Sequence, residues 1–233
     1  MKTKGIFITG TDTGVGKTVI TASLAAVMLA NGLKVSVMKP AESGCTRTKD
    51  GLLPQDAEYL RRITGINEPL DLICPYRFEP PLAPGVAAEL AGIPIDPEHI
   101  IKIYQKLSER YDINLVEGAG GLLVPLCKGL LYIDLIKRLG IPMLVVARAG
   151  LGTINHTLLT IWTAKNAEIE VLGVILNRVT HEQDISEKSN PHVLQRLLDV
   201  PLLGVMPHLT SEELKSPHQL ASIMDRHINW KCL

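Results

Sequence analysis

The chain is poor in aromatic residues, carries no net charge and has no long apolar run, and each shortage narrows what it can be. Phe, Trp and Tyr make up 4% of 233 residues, so a core must come from aliphatic side chains, and the 46% hydrophobic content is enough for one large core. With 24 basic residues balancing 24 acidic ones, no overall field draws the chain to nucleic acid or an anionic membrane, and no local basic patch stands out. No stretch approaches the roughly 18 apolar residues of a membrane-spanning helix. Met1-Lys2-Thr3-Lys4 runs directly into an apolar strand without an apolar leader. Cys45, Cys74, Cys127 and Cys232 are too widely spaced for a Cys-x-x-Cys metal site, and nothing suggests a secreted disulfide framework. The histidines show no HxxxH spacing, which argues against imidazole-based metal catalysis. These absences predict a soluble cytoplasmic protein with reduced thiols and neither a nucleic-acid nor a membrane partner.

What is present begins with Gly10-Thr11-Asp12-Thr13-Gly14-Val15-Gly16-Lys17-Thr18. It follows the β-branched and aromatic run Ile6-Phe7-Ile8-Thr9 and leads into a helical segment, Thr21 to Ala30. Strand, glycine-rich turn and helix make a phosphate cradle, in which closely approaching backbone N–H groups point at the negative charge. Lys17 then reaches the β- and γ-phosphates and the Thr18 hydroxyl ligates Mg2+. The match to the general motif is imperfect. Five residues separate Gly10 from Gly16 where four are usual, and Thr11 stands at the expected glycine position.

Further on, apolar runs alternate with helical segments. Asn31-Gly32 closes the first helix, Lys34 to Lys39 reads as a second strand, and Asp96-Pro97 opens a helix with Ile100, Ile103, Tyr104 and Leu107 at helical spacing. Runs starting at Ile113, Met143, Val171 and Leu202 are apolar on both faces, as parallel strands covered on both sides must be. The pattern predicts a single α/β domain over residues 1–233: a doubly wound, mostly parallel sheet with helices on both faces, of the P-loop NTPase type. Beyond Thr210 it supports only a final helix or two, with Leu220, Ile223, Met224 and Ile228 on an apolar face.

Ligands of such sheets sit beyond the carboxyl ends of the strands, and three strand ends stand out. The first carries the phosphate loop, the second Lys39-Pro40-Ala41-Glu42-Ser43-Gly44, and the third Glu117-Gly118-Ala119-Gly120-Gly121. Lys39 is either a second cation beside a triphosphate or a solvated strand-end lysine. On the first reading Lys39→Ala should cost most of the turnover while leaving the fold intact, since no core contact is lost. Glu117 is either an acidic helper of Mg2+ or a turn carboxylate. Asp56 lies in the first turn of a helix opened by Pro54, where an acidic residue already suits the helix dipole.

Taken together, the phosphate loop with Thr11, Lys39-Pro40 with Ser43-Gly44, Asp56-Ala57, the Glu117 to Gly121 segment, Gly152-Thr153-Ile154-Asn155-His156 and Pro201 to Gly204 resemble the dethiobiotin synthetases, over nearly the whole chain as far as about Leu209. The resemblance implies ATP-dependent closure of a cyclic urea from 7,8-diaminononanoate and CO2 by way of a carbamate and a carbamic–phosphoric anhydride. It implies Lys39 and Lys17 as catalytic residues, and Thr18, Asp56 and Glu117 around Mg2+. ATP would meet Gly14, Val15, Gly16, Lys17, Thr18, Val19, Asp56, Glu117, Gly118, Ala119 and Gly120, with Asn177, Arg178, Pro207, His208 and Leu209 at the base. Thr11 and Ser43 would contact the diamine or its carbamate, and Gly152, Thr153 and Asn155 would come from the partner subunit of a homodimer to hold the substrate carboxylate. Glu79 to Pro84 reads as a rigid loop, which the resemblance sets near the diamine. The competing function is that of a partition or cell-division ATPase, a nucleotide switch that makes no product. Those proteins carry an additional lysine where this chain has Asp12.

Overall fold

The computed structural model describes residues 5–181 and 184–233, so the reading of Met1-Lys2-Thr3-Lys4 lies outside the described residues. Six parallel strands form the central sheet: β1 (Gly5–Gly10), β2 (Val35–Met38), β3 (Ile113–Glu117), β4 (Met143–Arg148), β5 (Val171–Asn177) and β6 (Leu202–Met206). Their spatial order is β6-β5-β4-β1-β3-β2. The expected doubly wound parallel sheet is therefore present, with β3 inserted between β1 and β2.

Alternation along the strands splits the core in two. Ile6, Ile8, Leu144 and Val146 face the cluster containing Ile20 and Leu24 of α1 (Lys17–Ala30), Leu60 of α2 (Gln55–Thr64) and Leu220 and Met224 of α8 (Pro217–His227). Phe7, Val145 and Val174 face the other cluster. It holds Ala87 of α3 (Pro84–Ala91), Ile100 of α4 (Pro97–Ser108), Leu135 of α5 (Tyr132–Leu139), Ile161 of α6 (Thr153–Asn166) and Leu194 of α7 (Ile185–Leu197). None of these helices is long and apolar enough to cross a membrane.

Helix α1 begins at Lys17, one turn before its apolar pattern starts, because Gly16 at φ 91° turns the chain directly from the loop into the helix. Helix α4 starts as its sequence dictates: Asp96 accepts from the N–H of Glu98 at 2.9 Å, and Pro97 fills the first helical position. The last helix is integral to the fold, since α8 packs against α1 through Leu220 and Met224, both fully buried. Leu220→Ala should therefore cost about 2–5 kcal/mol, measured as a drop in the urea unfolding midpoint. An unchanged midpoint would show that α8 is not part of the core.

Candidate active site

Strand register assembles the site. In the β2–β3 pair Met38 lies opposite Val116, so the next residues, Lys39 and Glu117, come level. In the β1–β3 pair Ile8 lies opposite Glu117, two residues before the phosphate loop begins. Both side chains are buried, Lys39 at 4% exposure and Glu117 at 0%. The Lys39 ammonium donates to Glu117 Oε1 at 2.7 Å and to Asp56 Oδ2 at 2.5 Å. The Thr18 hydroxyl donates to the same Glu117 Oε1 at 2.7 Å. Burial works against the charge on Lys39, but Glu117 and Asp56 outweigh it and hold the ammonium well above its ordinary range. Glu117 Oε2 is buried with no hydrogen-bond partner among the described residues.

Asp56 is presented by the first turn of α2, and Glu42 fixes that turn. One carboxylate oxygen of Glu42 accepts from the Asp56 N–H at 2.9 Å and the other from the Ala57 N–H at 3.0 Å, capping the helix from a distant strand. Burial pushes the Glu42 carboxyl up, against the pull of Lys39 and the two N–H groups.

In the phosphate loop, the Lys17 ammonium donates to the Asp12 carbonyl at 3.1 Å. Burial lowers Lys17 to about 8, reinforced by Lys39 and opposed by Glu117, Asp56 and Asp12. Gly16 admits no side chain: a Cβ would stand 2.0 Å from Asn177 Nδ2. Asp12 does not face the phosphates with a free carboxylate, because Arg148 at the end of β4 holds it at 2.6 Å.

Lys17, Thr18, Lys39, Asp56 and Glu117 line one cleft of about 760 Å³, together with Gly14, Gly16, Val19, Ser43, Ala119 and Gly120. Pro81, Leu82, Ala83 and Pro84 form its rim, and Pro84 starts α3. Other predicted residues lie elsewhere. Val15 is fully buried in the core, and a Cβ on Gly118 would meet the Phe7 ring at 2.9 Å. Thr11 lines a neighbouring hollow with His156 and Leu159. Asn177 gives an amide hydrogen to the Val15 carbonyl at 2.9 Å. Arg178 pairs with Glu187 at 3.1 Å, Leu209 belongs to the core, and His208 stands edge-on to His181. Pro207 lies just beyond β6. Gly152 at φ 89° caps α6, with Thr153 buried and Asn155 in its first turn, none of them on the 760 Å³ cleft.

A family model described as an AAA domain matches residues 4–215. The ATP-dependent dethiobiotin synthetase BioD of Thermodesulfovibrio yellowstonii is 49% identical over 215 residues, covering 88% of this chain and 89% of the relative. The chain belongs to the dethiobiotin synthetase family. The family's Bacillus subtilis member is 40% identical over 208 residues, covering 89% of each chain. Among solved structures, the MinC:MinD cell division protein complex of Aquifex aeolicus superposes with a TM-score of 0.60 at 17% identity, over 96% of this chain and 95% of that one. A septum site-determining MinD from Pyrococcus horikoshii, complexed with Mg-ADP, gives 0.57 at 20%, over 95% and 96%. These two share the fold with the dethiobiotin synthetase family, and at such identities nothing more follows from them.

Two features of the site escape the sequence pattern. Glu42 sits inside the Lys39 to Gly44 segment, but its partners are backbone N–H groups with no side-chain signature. Arg148 and Asp12 are 136 positions apart. The premise of one expectation is corrected: Lys39 is buried and paired with Glu117 and Asp56, so Lys39→Ala does remove a core contact. Removing the ammonium leaves the Glu117 carboxylate buried without its counter-charge, a cost of about 3–5 kcal/mol. Lys39→Met should show that loss in denaturant unfolding, and adding Glu117→Gln should return most of it. A loss that Glu117→Gln leaves untouched would separate the two residues energetically.

Proposed function

We propose that the chain joins CO2 to 7,8-diaminononanoate at the expense of ATP and closes the cyclic urea of dethiobiotin, releasing ADP and phosphate. The observation that carries this reading is the convergence of two buried lysines, Lys17 and Lys39, on one cleft large enough for a nucleotide and a small substrate. A carbamate is a resonance-stabilised anion and a poor electrophile. Moving the γ-phosphoryl group onto one of its oxygens turns that oxygen into a leaving group, and the second amine then attacks the carbon. The enzyme's work is alignment and charge neutralisation, with no protein nucleophile.

Lys17 meets the β- and γ-phosphates. Lys39 has three N–H donors, of which Asp56 and Glu117 take two, and the third serves the carbamate at the transferring phosphoryl group. Ser43 and Thr11 bind the diamine. Thr18, Asp56 and Glu117 suit Mg2+: they offer oxygen ligands only, and Glu117 Oε2 is a buried carboxylate oxygen with no hydrogen-bond partner among the described residues. The ion, when bound, neutralises phosphate charge. Asn177, with one amide hydrogen on Val15, keeps its oxygen and second hydrogen for the adenine edge, beside Arg178 and the Pro207-His208-Leu209 segment.

The diamine's carboxylate belongs at the N-terminus of α6, at the Gly152, Thr153 and Asn155 segment, where the buried Thr153 gives its N–H to the Gly150 carbonyl at 3.3 Å and so shapes the turn. Since these lie off the cleft, we infer a homodimer in which α6 of one subunit completes the site of the other. The exposed side chains of Leu151, Leu159 and Trp162 give that contact an apolar surface. Four free thiols suit the cytoplasm.

The test is a mixture of protein, Mg-ATP, bicarbonate and the diamine, assayed for dethiobiotin and ADP in equal amounts. Hydrolysis that DNA or lipid stimulates and the diamine leaves unchanged would overturn the reading in favour of a nucleotide switch. Lys17→Ala should lower kcat by about 10²–10³-fold, with a circular dichroism spectrum like the parent's. Retained turnover would remove Lys17 from the reaction.

A further inference from the structure

Helix α7 carries two buried polar side chains, Glu187 and Asn190, at 5% and 4% exposure. Three positions apart, they share a helix face. Neither lines the cleft or figures in the reaction. Each reaches the end of a different central strand. Asn190 spends both amide hydrogens on backbone, donating to the Ala149 carbonyl at 2.8 Å and to the Gly150 carbonyl at 3.0 Å. These carbonyls belong to the turn that leads from β4 into α6. Glu187 accepts from the Arg178 Nε at 3.1 Å, directly after β5. The two strand ends are also tied to each other and to the phosphate loop: the Ala149 N–H donates to the Asn177 carbonyl at 2.9 Å, and Asn177 Nδ2 to the Val15 carbonyl at 2.9 Å.

Burying an amide and a carboxylate is costly unless every bond is made. An apolar residue would serve α7 better if packing were the only task. We propose that Glu187 and Asn190 are positioning residues of the ligand site. Asn190 sets the Gly150–Gly152 turn, and with it the α6 N-terminus that receives the substrate carboxylate; Glu187 sets Arg178 at the nucleotide base. The assignment of what each segment binds rests on the proposed function, and the positioning itself rests on the bonds. Because one helix holds both, the base seat of a subunit keeps a fixed spacing from the carboxylate seat that the same subunit lends to its partner's site.

The experiment uses the full-length chain and two variants, Asn190→Ala and Glu187→Gln. Loss of a buried hydrogen bond to a loop corresponds to roughly a tenfold effect on the ligand it positions. Asn190→Ala should raise KM for the diamine by roughly tenfold and leave KM for ATP unchanged. Glu187→Gln should weaken ATP, and ADP in calorimetric titration, by a similar factor and leave KM for the diamine unchanged. A merely structural role would lower the melting temperature in both variants and move the two KM values together, or move neither, and either result overturns the proposal. Hydrogen exchange provides a readout independent of turnover. Amides 150–155 should exchange faster in Asn190→Ala while β1 and β3 stay protected. Wild-type protein that makes no dethiobiotin would refute the proposed function. In that case selective exchange in Asn190→Ala with weaker ADP binding in Glu187→Gln would still support the positioning roles, and parent-like exchange and binding would refute them.

Discussion

The site depends on the ion pairs of one buried ammonium, that of Lys39. Lys39 lies between Glu117 and Asp56, and a lysine charge enters a protein interior only where counter-charge awaits it. That constraint reaches outward through the fold. Glu117 must come level with Lys39, which requires β3 between β1 and β2 in the observed register. Asp56 must arrive at the same place, which requires α2 to begin where Glu42 caps it. The phosphate loop then brings Lys17 and Thr18 to the same carboxylate from β1. Burial lowers the affinity of Lys17 for its proton, and the neighbouring Lys39 charge adds to that cost. A triphosphate relieves it.

Much of this was legible in the sequence, and the limits were physical. Local chemistry read well: the Gly10 to Thr18 cradle, the Asp96-Pro97 helix start and the apolar strand cores depend on neighbours a few positions away. The three strand ends could be named because parallel sheets place ligands at their carboxyl edges. That Lys39 is buried could not be read, since burial follows from the order β1-β3-β2, and strand order is not a property of any one segment. Glu42 went unnoticed because it bonds to N–H groups, which every residue possesses. Helix α7 was missed because Pro191 interrupts its pattern and its buried face includes Glu187 and Asn190, where periodicity looks for leucine.

The scaffold does not decide the chemistry. Cell-division and septum site-determining proteins superpose on this chain at 17–20% identity, so the fold is common property. The chemistry lies in the side chains: Asp12 is held by Arg148, and the second strand delivers the buried Lys39 into the cleft. Such a cation suits a reaction in which phosphate passes to an anionic oxygen, where charge accumulates between donor and acceptor.

The central claim, that the γ-phosphoryl group is transferred to a carbamate oxygen and not to water, can be tested by oxygen tracing. With CO2 labelled by oxygen-18 in ordinary water, and phosphate analysed by mass spectrometry within a few turnovers, each phosphate released should carry one labelled oxygen, because the bridging oxygen leaves with phosphorus when the ring closes. Phosphate that takes its new oxygen from water would contradict the account.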